Sequence, residues 1–223
     1  MNPTRKLLWI HEQLTAWVGD GLPMDDAGPA EVLVLTILSQ NTTDVNRDRA
    51  YRSLRTRFQT LDDVARAPES EVAEAIRVGG LHRQKARSIQ RALDRIRERT
   101  GRSDDLGFLA DRPVEEGMAW LEALPGVGPK TAGIVMLFSF GKPFFPVDTH
   151  IRRVMTRVGL VRGSEDPHQR MNALLPADVP LLQALHLSVI ELGRAICHPR
   201  MPDCPACPIR VQCRTGRKVD SVP

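Results

Sequence analysis

Apolar residues return every three or four positions along most of this chain. Leu7, Ile10, Leu14 and Trp17 form one such series, Ala50, Leu54 and Phe58 a second, Ile89, Leu93 and Ile96 a third. Side chains at that spacing line one face of an α-helix, so each series is the buried stripe of an amphipathic helix. Alternation at period two, the mark of a half-buried strand, is hard to find over five or more residues. Pro and Gly fall between the periodic segments rather than inside them. The chain reads as all-α, and its 223 residues allow one large domain or two small ones with a full core.

With 42% hydrophobic and 26% charged residues the composition is globular, which excludes disordered, collagen-like and low-complexity classes. Net charge is 31 minus 27, or +4, which permits a polyanionic partner without demonstrating one. Arginine outnumbers lysine twenty-six to five. Its planar fork suits phosphate, although codon bias accounts for the excess equally well. Aromatics at 4% disfavour an open platform for stacking single-stranded bases. Arg5, Lys6, His11 and Glu12 interrupt the N-terminal segment, and no stretch approaches a membrane span, so a cytoplasmic protein is expected.

Two local features go beyond a plain helical bundle. The first is L-P-G-V-G-P-K-T-A at 124–132, set between the apolar residues Met118, Leu121, Leu124 and Ile134, Val135, Leu137, Phe138. This predicts a helix, a tight glycine turn and a second helix. Gly126 and Gly128 allow close approach to the main chain, and Pro129 suits the first turn of the next helix. Bare amides at a helix start form a phosphate site. The plainer alternative is a helical hairpin whose glycines only make the turn.

The second is C-x6-C-x2-C-x5-C, formed by Cys197, Cys204, Cys207 and Cys213, which hold all the cysteines of the chain within 17 residues. In a reducing compartment, clustered thiols bind metal more often than they form disulfides. Four thiolates this close can surround one tetrahedral zinc or one iron-sulfur cubane, and spacing alone leaves both open. Pro199, Pro202, Pro205 and Pro208 make the segment a rigid loop.

Together with I-L-S-Q-N-T-T-D at 37–44, G-L-H-R-Q-K-A at 80–86 and V-D-T-H-I-R-R-V at 147–154, these motifs resemble the endonuclease III family of the helix-hairpin-helix-GPD superfamily over essentially the whole chain. The resemblance implies a two-lobed all-α fold. One lobe would be a helical barrel from 22–140, and the other would combine 1–21 with 141–223. It also implies a [4Fe-4S] cluster on the four cysteines, and duplex DNA with damaged bases or abasic sites as the partner of a monomer.

By the same resemblance Lys130 is the nucleophile that attacks the sugar carbon, and Asp148, eighteen residues later, assists it. The chemistry is sensible on its own terms. An amine must be neutral to attack, which the positive end of a helix and partial shielding from water both favour. A carboxylate near the sugar stabilises the cation that develops as the base leaves. Asp148 also stands before Ile151, Val154, Met155 and Val158, where it suits a helix N-cap.

Base extrusion leaves a gap in the stack. Leu81, with His82 beside it, matches one of the family's two wedge loops, and Asn41 falls where endonuclease III has a longer glutamine. The amides of Gly126, Val127 and Gly128 are expected on a phosphate, with Arg200 a further DNA-facing cation. Pro129 departs from the family's usual arginine. The implied reaction is removal of an oxidised pyrimidine and β-elimination at the abasic site through a Schiff base. The alternatives are a monofunctional mismatch glycosylase, against which Lys130 argues, and a non-catalytic DNA-binding module.

Overall fold

The computed structural model describes residues 2–19 and 27–221. Among the described residues it holds α-helices, short 3₁₀ turns and a π-helical turn, with no strand. In chain order the α-helices are α1 (Pro3–Val18), α2 (Pro29–Leu38), α3 (Asp44–Arg57), α4 (Leu61–Arg66), α5 (Glu69–Ala75) and α6 (His82–Thr100). These are followed by α7 (Val114–Glu122), α8 (Pro129–Ile134), α9 (Thr149–Val158), α10 (Pro167–Leu174) and α11 (Val179–Ala195). No helix among the described residues is long and apolar enough to cross a membrane.

Helix starts follow local chemistry. Asn2, Thr43, Thr60, Asp148, Asp166 and Asp178 each accept a hydrogen bond from an amide in the first turn, which would otherwise lack an intrahelical partner. Proline opens α1, α2, α8 and α10, where its missing amide costs nothing.

The chain forms two compact units, Asp26–Gly141 and the pair of segments Met1–Asp25 with Lys142–Pro223. The boundary expected near residue 21 lies outside the described residues. In the continuous unit α6 packs on α2, α4 and α5, and α2 packs on α3 and α8. Leu33, Ile37, Leu54, Ile76, Ile89, Leu93 and Ile96 are fully buried there. In the two-segment unit α11 packs on α1 and α9. Leu7, Ile10, Leu14, Leu185, Val189 and Leu192 are fully buried, each side chain of this size being worth about 1.5–3 kcal/mol. Trp17 departs from the predicted stripe: it is 36% exposed near the end of α1.

After α8 the backbone widens into a π-helical turn over Val135–Ser139. The Met136 side chain fills the place where a Cβ on Gly117 of α7 would lie, so it packs directly on the α7 backbone.

Candidate functional site

The glycine turn forms as the sequence predicts. Gly126 takes φ +80°, and a Cβ there would stand 2.6 Å from Ser88 Oγ and 2.9 Å from Ser88 Cβ. Conformation and contact with α6 therefore both require glycine. Gly128 caps α8 with extended backbone and no side-chain bond, and its carbonyl accepts from Ala132 N at 3.0 Å. Val127 differs from expectation. Its side chain is buried, and its amide donates to Leu124 O at 3.1 Å inside the turn, so it is not a free phosphate donor. The amides of Gly126 and Gly128 have no acceptor among the described residues. Lys130 is the second residue of α8 and is half-buried, with Pro129 preceding it at the helix start.

Asn41 and Leu81 share an unusual property. They alone among the described non-glycine residues hold positive φ, 51° and 48°. A left-handed backbone costs an ordinary L-residue such as Leu81 roughly 1–2 kcal/mol, whereas Asn41 is of a type that adopts it readily, and such strain concentrates at functional positions. Both side chains are exposed, Leu81 by 51%. His82, half-buried, begins α6 directly after Leu81. Gln40, next to Asn41, donates from Nε2 to Gly126 O at 3.0 Å and ties that loop to the glycine turn. Gln40 carried no signal in the sequence that marked it for this role.

In the other unit Asp148 is the N-cap of α9, its Oδ1 accepting from Ile151 N at 2.8 Å. The bond fixes the carboxylate's direction and leaves Oδ2 available. His150 and Arg153 follow on the helix, with 3.1 Å between the Arg153 Nη2 and the His150 Nδ1.

All four cysteines are free, and all four line one cavity with Val154, Val158, Leu192 and Ile196. Burial pushes the Cys207 thiol up to about 11 and raises that of Cys204. Among the described residues no three His, Cys, Asp or Glu side chains are grouped so as to hold a single metal ion. Two arginines of α9, one turn apart, hold the loop. Arg153 donates to Cys197 O at 2.9 Å and Gly193 O at 2.8 Å, and Arg157 donates to the Cys197 Sγ at 3.3 Å. The carbonyl of Arg157 accepts from Cys213 Sγ at 3.4 Å and from Thr215 Oγ1 at 3.1 Å. Their spacing of four residues could have marked them as a pair on one helix face. Arg200 is exposed in the same loop.

Comparison with known proteins agrees with this layout. Residues 34–177 match the model of the HhH-GPD superfamily base excision DNA repair proteins. Endonuclease III of Thermotoga maritima is 34% identical over 195 residues, 86% of each chain. A solved non-covalent endonuclease III-DNA complex superposes with a TM-score of 0.82 at 28% identity, covering 100% of both chains. A trapped endonuclease III-DNA covalent intermediate gives 0.81 at 28%, covering 99% of this chain and 100% of that one. An all-helical architecture, a glycine hairpin opening the helix of Lys130 and relatives matched over most of their length lead to one assignment: the chain belongs to the HhH-GPD superfamily of base excision DNA repair proteins and, within it, to the endonuclease III family of DNA glycosylases/AP lyases.

Proposed function

We propose that the chain, as a monomer, removes oxidised pyrimidines from duplex DNA in the cytoplasm and then cleaves the abasic site. The observation that carries this reading is Lys130 on the first turn of α8, directly beyond the open amides of Gly126 and Gly128. Those two amides would bind a phosphate oxygen, with the partial positive charge of the helix start behind them.

The Lys130 amine attacks C1′ of the extruded nucleotide. The glycosidic C–N bond breaks, and the base leaves with the bonding pair and takes up a proton. The amine gives up its own proton as the ring opens to an imine. Removal of a C2′ proton then expels the 3′ phosphate, and water hydrolyses the imine to restore the amine. Asp148 stabilises the sugar cation and carries protons in these steps, its direction held by the cap on α9. Leu81 and Asn41 fill the vacated stack, and Arg200 adds a contact to the backbone. Reduction of the enzyme-DNA imine with borohydride should give a stable cross-link on Lys130, as a trapped covalent intermediate exists for a relative of the same fold. A cross-link on another amine would overturn the assignment.

We further propose that Cys197, Cys204, Cys207 and Cys213 hold a [4Fe-4S] cluster. Four free thiols lining one cavity are the donor set such a cluster takes, and their spacing resembles the cluster loop of the endonuclease III family. The bound cluster would brace the loop. Yellow-brown protein with about four irons per chain is the expected result, and colourless, active protein with stoichiometric zinc would refute it.

A further inference from the structure

Lys85 is only 2% exposed. Its ammonium donates to Leu38 O at 2.7 Å and to Gly79 O at 2.8 Å. Leu38 is the last residue of α2, three before Asn41, and Gly79 stands two before Leu81. One buried cation therefore joins the stems of the two loops that carry the exposed residues of left-handed backbone. Its acceptors are main-chain carbonyls and no carboxylate pairs with it among the described residues. Burying an ammonium is expensive, and here desolvation pushes its pKa down. An apolar side chain would fill the same space without that cost, but it could not hold two carbonyls at fixed separation.

We propose that Lys85 is a positioning residue, holding the Asn41 and Leu81 loops in one register so that they enter a duplex as a single two-pronged element; this rests on the reading of those residues as the fillers of the vacated stack. Both tips are exposed and hold left-handed backbone, so the side chains at the tips add little packing to fix either loop. A shared anchor makes displacement of one stem a displacement of both.

Amide hydrogen exchange tests the anchor without reference to DNA. In the unaltered protein, amides of 39–43 and 79–83 should open as one unit, with the same dependence on denaturant. Lys85→Met should speed exchange in both loops together while α7 stays protected. With DNA, Lys85→Met should slow processing of a paired lesion roughly tenfold and leave cleavage of a single-stranded abasic site within about twofold. Lys85→Arg, which keeps donors and charge, should recover much of the loss. Independent opening of the two loops in the unaltered protein overturns the proposal even if Lys85→Met fails to fold, as do equal losses on both substrates. Leu81→Ala measured on the same two substrates tests the stack-filling reading separately.

Discussion

Arg157 donates from Nη1 to Cys197 Sγ at 3.3 Å, and the same guanidinium reaches the carbonyls of His198 at 2.6 Å and Pro199 at 2.7 Å. A helix thereby holds both a sulfur and the chain that follows it. Arg157→Met keeps much of the stem's packing and removes these donors, each bond being worth about 1 kcal/mol or more. With the proposed cluster bound, we expect a purified variant that folds but loses iron faster to a chelator, followed by visible absorbance. Iron release at the unaltered rate would remove Arg157 from any role at the cysteine loop.

Gly126 and Gly128 differ in what a methyl group would meet. Gly126→Ala forces a left-handed backbone on an L-residue and drives Cβ into Ser88, so a loss of about 2–3 kcal/mol is expected in denaturant melts. Gly128 has no atom within 4 Å of the added position. Gly128→Ala should leave stability within about 0.5–1 kcal/mol, yet weaken duplex binding because the methyl group stands where a phosphate would approach. Equal melting of the two variants would refute the difference.

Leu81 pays for its exposed position in backbone strain, which glycine would not bear. Leu81→Gly and Leu81→Ala both lack the proposed wedge, so both should process paired lesions poorly. They should differ in stability, with the glycine variant firmer by about 1 kcal/mol. Identical melting midpoints would show that the conformation carries no strain.

Asp148→Asn retains an oxygen able to accept from Ile151 N, and asparagine caps helices as well as aspartate. Melting should barely change, while catalysis falls ~10²-fold or more through loss of the charge. Asp148→Ala should lose both. Full activity in Asp148→Asn would leave the residue only its cap.

His168 sits half-buried beside Phe144, with ring centroids 6.1 Å apart, and its Nε2 is buried without a partner. Desolvation lowers its pKa, partly opposed by Asp166. The folded form thus binds its proton less readily than the unfolded chain, whose histidines titrate near ~6.5. Its stabilising contribution is complete above that value and is lost as pH falls through the lower folded pKa. His168→Gln should flatten the pH dependence of the melting midpoint below about pH 6.5. An unchanged slope would refute the assignment.

Much of the scaffold was legible in the chain because its signals are local. Pro129 at a helix start, Asp148 as a cap and the buried stripe of α6 each need only a few neighbouring residues. Features set by distant neighbours were not. Lys85 looks like an ordinary surface lysine in sequence, and its burial depends on carbonyls 47 and six residues away. The π-helical turn at Val135–Ser139 lies in a continuous apolar run with no periodicity to betray it. The arginine excess also resolves in part. Arg57, Arg87, Arg95, Arg97, Arg102 and Arg112 pair with carboxylates of their own unit, so arginine content by itself was a poor guide to a phosphate surface.

The division of the chain also sets an order of events during synthesis. The unit Asp26–Gly141 is one uninterrupted stretch, which can close its core as soon as it leaves the ribosome. Helix α1 emerges earlier but must wait for α11, its main packing partner, and for the Val158 carbonyl that accepts from Lys6, 152 residues away. Until then Leu7, Ile10 and Leu14 have nothing to bury against. The cysteines follow α11 in the chain, so their loop is made last, and with the proposed cluster a shortage of iron or sulfide would strand a chain whose Lys130 is already in a folded unit.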